Sequence, residues 1–455
     1  MSRYKPYLHI PRGLQFAGVN KPLPDPSTVA YGMGWVDESG DVHICTYKHQ
    51  ISSIARFVNS SKIRRVDIAG IGDSNMWYNS YGWHNGLIKA IVNNAYLYST
   101  PMFGGYLKDS TTYLMNISGG SAWLTPPAEY SEYDYGDVGR TYGISSTLLP
   151  MNVEVGPDST SWMELTPGLL DQSAGFEYSA KLGGFDSGAG TFAPYIRNQT
   201  DSSIIVGYTT INVNNEHGIY EYSKSFSNNL TGKTVRFGLG NIGSKVITDK
   251  FYALTQRVIS NASQIGIAFS TIGYRPSMST RVMAQAWVDL DTDAKDFILA
   301  TLVEKQNDTP MLLIRINEGA NDIADTTISV NGVSNSNTYA GYKDNLTTII
   351  SEMRNSWARL GFNSGDLFFL ISPTHVMDSS DAGMGVIREA SLDVSKEYQN
   401  VGYYDVTKNY EYQDMVDGSF YASGGNAHLS TGGYDSLSES EFTDVFNLEK
   451  IWISP

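Results

Sequence analysis

The sequence predicts an α/β protein: a three-layer α/β/α parallel sheet, interrupted by a β-rich domain and preceded by a β-containing arm. Three observations carry this expectation. From about residue 263 to the end, apolar strands alternate with amphipathic helices, the pattern of a parallel sheet covered on both faces. Earlier, the apolar run Val66-Asp67-Ile68-Ala69-Gly70-Ile71 leads straight into a polar turn, Gly72-Asp73-Ser74-Asn75. Between about Tyr98 and Ala262 the helical period is lost, and short runs with apolar residues at every second position replace it.

Residues 1–60 read as the arm. Pro6, Pro11, Pro22, Pro24 and Pro26 punctuate it, and Glu38-Ser39-Gly40-Asp41 separates Gly34-Trp35-Val36 from Val42-His43-Ile44, a hairpin signal. An arm of this kind is a candidate for packing on a neighbouring subunit. Residues 61–100 form the first part of the α/β domain. Val66, Ile68 and Ile71 suit a buried strand, Gly70 and Gly72 allow a tight turn or a close approach, and a helix follows from about Trp83 to Asn94 with Leu87, Ile88 and Ile91 inside. Asp73 and Ser74 also suit a simple N-cap turn.

Residues 101–262 are the insertion. Its alternating runs are Ile204 to Val213, Ile219 to Tyr222 and Val235 to Leu239, with turn signals at Asn228-Asn229 and Thr231-Gly232. Their spacing suits a sandwich or a jelly-roll-like fold. Residues 263–455 resume the α/β domain. Gln264 to Ser270 is a second buried strand that ends at Gly273, and a helix of about Asp293 to Glu304 buries Phe297, Ile298 and Leu302. Met311 to Ile316 is a continuous apolar strand that delivers Asn321, and the polar loop Asp322 to Thr338 is expected to rim the site. Tyr342, Leu346, Ile349, Ile350, Met353, Trp357 and Leu360 form an amphipathic stripe that Gly361 ends. Leu367 to Ser372 runs into Pro373-Thr374-His375, and another helix–strand pair ends at Val401 to Asp405. The last loop brings His428 ahead of a helix of about Ser438 to Phe446.

Composition narrows the partners. Among 455 residues 17% are charged and the net charge is -15, which argues against a surface that tracks phosphates and so against nucleic acid. The single cysteine, Cys45, rules out an internal disulfide framework and a thiolate cluster, and reads as a structural residue. Scattered acids and histidines without ligand spacing predict no metal, and nothing implies a cofactor. The apolar runs are too short to cross a bilayer, and Met1 to Pro6 lacks the apolar core of a secretory leader. The 30 tyrosines and 44 glycines suit a β-rich surface that contacts sugars, and equally a rigid structural β-protein.

Gly72-Asp73-Ser74-Asn75, Gly319-Ala320-Asn321-Asp322 and His428-Leu429-Ser430 with Gly433-Tyr434 occur in the order found in the SGNH (GDSL-type) hydrolases, which the chain resembles over a little more than half its length. That resemblance implies a serine esterase. Ser74 is the nucleophile and His428 the base. The Ser74 and Gly273 backbone N–H groups and the Asn321 side-chain amide form the oxyanion hole. Gly104-Gly105 is the alternative to Gly273. A neutral hydroxyl is a poor nucleophile, so it needs a base, and the oxygen that gains charge needs preorganised donors. The sequence departs from the family where an aspartate should precede the histidine by three residues, because position 425 is Gly425. A backbone carbonyl, Asp417, Asp405 or Asp435 is left to orient the ring. His375, followed by Asp378, is the rival base.

Trp77, Tyr78, Tyr81 and Trp83 follow the nucleophile closely, and aromatic faces stack on sugar C–H faces. Trp77, Tyr78, Trp83 and His84 are therefore the candidate substrate-binding residues, with ordinary packing under the helix as the competing reading. Together with the Tyr-rich insertion they favour an acetylated glycan as substrate, and the absence of a long apolar lid disfavours a lipase. The rival class is a non-catalytic carbohydrate-binding or structural protein on a degenerate esterase fold. An arm, a β decoration and no evident leader would suit a phage tail, with a homo-oligomer or other virion proteins as partners, by analogy of organisation.

Overall fold

In a computed structural model of the chain, the described residues are 16–18, 20–29, 33–47, 51–76, 82–94, 98, 115–118, 153–155, 162–165, 173–183, 191–198, 204–207, 211–212, 219–226, 235–240, 251–274, 279–290, 292–303, 309–325, 335–375, 377, 382–406, 410–422, 428–446 and 450–453. Among the described residues the first three strands are β1 (Phe16–Gly18), β2 (Gly34–Val36) and β3 (Val42–Tyr47). β2 and β3 are the expected hairpin, with Gly40 at φ +85 in its turn. The arm is not a free appendage. The C-terminal strand β19 (Lys450–Ile453) pairs antiparallel with β3, closing a sheet of order β1-β2-β3-β19. Trp452 donates its indole N–H to the Pro24 carbonyl at 2.8 Å.

The central sheet is parallel, with order β15-β4-β16-β17-β18. Its strands are β4 (Arg65–Gly72), β15 (Gly266–Tyr274), β16 (Leu312–Asn317), β17 (Leu367–Ile371) and β18 (Val401–Tyr403). Successive side chains on a strand point to opposite faces, and both faces here are buried. Ile314, Ile316, Phe369 and Ile371 pack with Met283, Trp287, Leu346, Ile350, Met384 and Ile387. Those partners lie on α3 (Thr280–Asp289), α5 (Tyr339–Arg359) and α6 (Ala382–Glu397), and α4 (Thr292–Thr301) adds Ile298 and Leu299. Ile68, Leu313, Phe368 and Leu370 face the other way. There they meet Phe57 of α1 (Ala55–Ser60), Leu87 and Ile91 of α2 (Gly82–Asn94), Met415 of α7 (Tyr412–Asp417), and Leu437 and Phe442 of α8 (Thr431–Val445).

Helices α1 and α7 have no counterpart in the sequence reading, and two further helices also differ from expectation. Helix α3 has no counterpart in the sequence reading. Ser279 caps it, and it buries Met283, Ala284 and Trp287. Helix α8 starts at Thr431 instead of near Ser438, because the Ser430 side chain accepts the Gly433 N–H at 3.1 Å and caps it there.

Between α2 and β15 the described residues carry ten strands: β5 (Met115–Ser118), β6 (Val153–Val155), β7 (Trp162–Leu165), β8 (Phe176–Gly183), β9 (Thr191–Asn198), β10 (Ile204–Gly207), β11 (Ile211–Asn212), β12 (Ile219–Phe226), β13 (Val235–Gly240) and β14 (Phe251–Ser260). They form two antiparallel sheets, one of order β12-β8-β14-β6, the other β10-β9-β13-β7-β5 with β11 beside β9. Phe176, Tyr178, Ile196 and Val258 of these sheets belong to the same buried cluster as Ile68 and Phe269 of the α/β sheet.

Candidate functional site

In chain order the parallel strands stand second, first, third, fourth and fifth across the sheet. The chain therefore leaves β4 toward one edge and returns on its other side at β16. Such a reversal opens a crevice at the carboxyl ends of the two strands, where ligands of open α/β sheets collect. β4 ends in the Ser74 turn and β16 ends in the Asn321 loop, so both border that crevice. Gly72 lies opposite Asn317 in the register, and a Cβ on Gly72 would come within 2.7 Å of the Asn317 carbonyl oxygen. Only glycine lets the strand ends approach this closely. On the other side of β4, Gly273 pairs with Ile71 near the end of β15.

Ser74 opens a single 3-10 turn, Ser74–Met76. Asp73 shapes it: one carboxylate oxygen accepts the Asn75 backbone N–H at 2.8 Å. The other accepts the Asn321 side-chain N–H at 3.2 Å. Asn75, on the far side of Ser74, accepts the Tyr434 hydroxyl on Oδ1 at 2.9 Å. Tyr434 lies in the first turn of α8, and His428 stands just before that helix. Its segment is held by two backbone bonds, Ala422 N–H to the His428 carbonyl at 3.0 Å and Ser430 N–H to the Phe420 carbonyl at 2.6 Å. The neighbours of Ser74 thus reach the Asn321 loop on one side and the helix behind His428 on the other.

His428 is half-buried, and burial lowers its pKa below the usual 6.5, favouring the neutral imidazole that a base requires. His375 is fully buried beyond β17, with its Nδ1 3.3 Å from the Thr374 hydroxyl and its ring 6.0 Å from that of Tyr421. The carboxylates considered for orienting His428 have other partners. Asp417 accepts the Gln413 amide at 2.7 Å, Asp405 lies 3.7 Å from Arg388, and Asp435 binds Lys89. Gly425, Asp378 and Gly104-Gly105 lie outside the described residues, as do Trp77 and Tyr78. The backbone of His84 is in α2.

Trp83 corrects the aromatic platform. It is 0% exposed, with its ring 5.9 Å from Tyr434 and the Arg315 guanidinium 4.9 Å from its centroid. That guanidinium in turn forms a two-point ion pair with Glu441 at 2.7 and 2.6 Å. Trp83 is a core residue under α8, with no face open to a sugar.

Sequence reading took Asp73, one of the acids behind the turn, only as a cap and gave the other two no role at the site. Asp73, Glu318 and Asp322 are all 0% exposed. Burial pushes Asp73 up to about 6, against the hydrogen bonds from Asn75 and Asn321, and Asp322 up to about 7. Burial, then the charges of Asp73 and Asp322, raise Glu318 well above the carboxylate range, and neither of its oxygens has a hydrogen-bond partner. The available signal was four polar residues, Asn317, Glu318, Asn321 and Asp322, crowded after an apolar strand. Among the described residues, no group of three or more His, Cys, Asp or Glu is arranged to hold a metal ion, and no helix is long and apolar enough to cross a membrane.

No protein-family model matches the chain, and no curated protein sequence does. Solved structures give distant likenesses. An acetyl xylan esterase from the rumen bacterium Butyrivibrio proteoclasticus aligns at 10% identity and a TM-score of 0.24, covering 64% of this chain and 91% of that one. The tandem CBM51 modules of a family 98 glycoside hydrolase from Streptococcus pneumoniae align at 13% identity and a TM-score of 0.17, over 25% of this chain and 33% of that one. The N-terminal modules of an endo-1,4-beta-D-xylanase from Clostridium thermocellum align at 12% identity and a TM-score of 0.20, over 56% and 62%. The functional reading therefore rests on this chain's own residues.

Proposed function

We propose that the chain is a serine ester hydrolase of the SGNH type, acting on O-acetyl groups of a glycan. One observation carries the reading: Asp73 and Asn75, on either side of Ser74, are hydrogen-bonded to Asn321 and to Tyr434. This joins the three segments whose motifs resemble the family at the crevice between β4 and β16.

In the proposed reaction His428 takes the Ser74 proton as the hydroxyl oxygen attacks the acetyl carbonyl. The negative oxygen is met by the Ser74 and Gly273 N–H groups and the Asn321 amide. Collapse breaks the bond to the sugar oxygen, which takes the proton from His428. Water, deprotonated by the same histidine, then releases acetate and restores the serine. Each oxyanion donor is worth about two to three decades in rate. A second reading, a glycan-binding or structural protein on an esterase fold, is favoured by Gly425 at the usual aspartate position.

The test is hydrolysis of a nitrophenyl acetate and acetate release from an acetylated polysaccharide, by wild type, Ser74→Ala and His428→Ala. We expect both variants to lose at least about three decades of kcat. kcat/KM for wild type should fall with acidity only below the usual imidazole pKa, because burial lowers that of His428. Equal rates for wild type and Ser74→Ala, with glycan binding retained, would favour the second reading.

A further inference from the structure

Leu312, Ile314 and Ile316 of β16, and Ala69 and Ile71 of β4, alternate onto the face that α3 and α5 bury. Ile316 lies opposite Ile71 in the register, and the same alternation brings Glu318 and Asp73 next on that face, at the ends of their strands. Glu318 is therefore a carboxyl where an apolar side chain would continue the core. It is 0% exposed, and among the described residues neither of its oxygens has a hydrogen-bond partner. A carboxylate stripped of water and of donors does not hold its charge, so the group keeps its proton. The space around it is acidic: Asp73 and Asp322 are buried there, and their charges raise Glu318 further. From α5, buried Tyr342 turns its hydroxyl toward the same three acids. That hydroxyl has no hydrogen-bond partner among the described residues, Ser391 beside it donating to the Ile387 carbonyl at 2.8 Å. Basic groups on the neighbouring elements are engaged elsewhere: Arg281 with Asp325 at 2.8 Å, Arg388 3.7 Å from Asp405, and His375 against the Thr374 hydroxyl at 3.3 Å.

We infer that Glu318 is a positioning residue acting through Asp73: its proton lets Asp73 stay ionised and hold the turn of the nucleophile, an inference that rests on the ester-hydrolase reading above. Asp73 shapes that turn by accepting the Asn75 N–H at 2.8 Å. Two carboxyls in one buried space do not ionise independently, because the charge of one holds the proton on the other. While Glu318 is neutral, the charge sits on Asp73, where the Asn75 N–H meets it. Ionisation of Glu318 adds a second charge beside the first with no donor of its own. The two carboxylates must then separate, or Asp73 must take up a proton, and either change weakens the hold on the turn. Activity is therefore lost as pH rises through the folded pKa of Glu318, on the alkaline side, opposite to the acid limb set by His428.

The experiment compares wild type with Glu318→Gln and Glu318→Met, two side chains of similar size that never ionise, in two measurements. Difference infrared spectroscopy at neutral pH reads the carbonyl stretch of a protonated carboxylic acid. We expect wild type to show one such band more than either variant. The second measurement is kcat and KM with nitrophenyl acetate across pH, with Ser74→Ala as the baseline. At about pH 7 both variants should keep kcat within about three-fold of wild type and KM within about two-fold. From about pH 8 to about pH 10 wild type should lose at least about 10-fold in kcat with its near-ultraviolet circular dichroism unchanged, and the variants less than about three-fold. A missing infrared band, the same alkaline loss in wild type and variants, or an alkaline loss that only follows unfolding would overturn the inference alone. Equal turnover by wild type and Ser74→Ala would remove the ester-hydrolase reading, and the positioning role of Glu318 with it, whereas the infrared band would still report its proton.

Discussion

At the scale of single residues, the burial of Asp322 should make stability depend on pH. Its Oδ1 accepts the Thr280 N–H at 2.9 Å and the Thr280 hydroxyl at 2.6 Å, whereas its Oδ2 has no partner. Burial raises its folded pKa from 3.8 to about 7, and Asp73 moves the same way, from 3.8 to about 6. Glu318 and Tyr342 face the same space, and both are raised as well. A carboxyl with a raised folded pKa binds its proton more tightly folded than unfolded. Stability is therefore greatest below the unfolded value and is lost as pH rises from about 4 to about 7. Asp322→Asn keeps an acceptor for Thr280 and removes the ionisation. It should be close to neutral near pH 3, below the unfolded pKa, and stabilise by on the order of 2–4 kcal/mol at pH 8, read from urea midpoints. A wild type equally stable at both values would contradict it. The sequence announced Asp73 only as a cap, and that half was sound: it does hold the Asn75 N–H. Its second bond, to a residue 248 positions away, follows from strand order and has no local signature.

At the scale of elements, α2 shows why proximity to a nucleophile is a poor guide to role. Trp83, Leu87 and Ile91 are spaced by four, the period of one helix face, and all three are in the core. That spacing was readable beside the aromatic clustering, and it outranks it. Trp83→Ala should cost about 3–5 kcal/mol in urea unfolding, from the lost ring contacts with Tyr434 and Arg315, with KM for an acetyl ester within about two-fold of wild type. A large rise in KM without loss of stability would restore Trp83 to the substrate surface. The sheet strands were legible for a comparable reason: buried on both faces, they must be almost continuously apolar, as in β17 and, apart from Arg315 and Asn317, in β16. Helix α3 escaped because its apolar face is short, Met283, Ala284 and Trp287. The partnership of β19 with β3 joins residues near opposite ends of the chain, and neither strand encodes its partner.

At the scale of the molecule, the insertion and the α/β sheet share polar as well as apolar contacts. Asp67 of β4 is buried, accepts the Tyr98 hydroxyl at 2.5 Å and lies 3.7 Å from Arg257 of β14. Arg65, two residues earlier, donates to the Ser263 and Ser260 carbonyls at 2.7 and 2.8 Å. The backbone of Tyr98 bridges the two parts, accepting from Ser260 at 2.9 Å and donating to the Ile267 carbonyl at 3.3 Å. Phe176 and Val258 enter the same core as Ile68 and Phe269, so opening either part would expose apolar surface of the other. The two parts should therefore unfold as one cooperative unit. Tyr98→Phe removes the hydroxyl that Asp67 accepts and leaves that buried carboxylate with weaker compensation, at a cost of about 1–3 kcal/mol. In calorimetry we expect one transition for wild type and one, at lower temperature, for the variant. Two separate transitions, with only one displaced by Tyr98→Phe, would mean that the crevice behind Ser74 is held by the α/β sheet alone and the insertion is energetically independent of it.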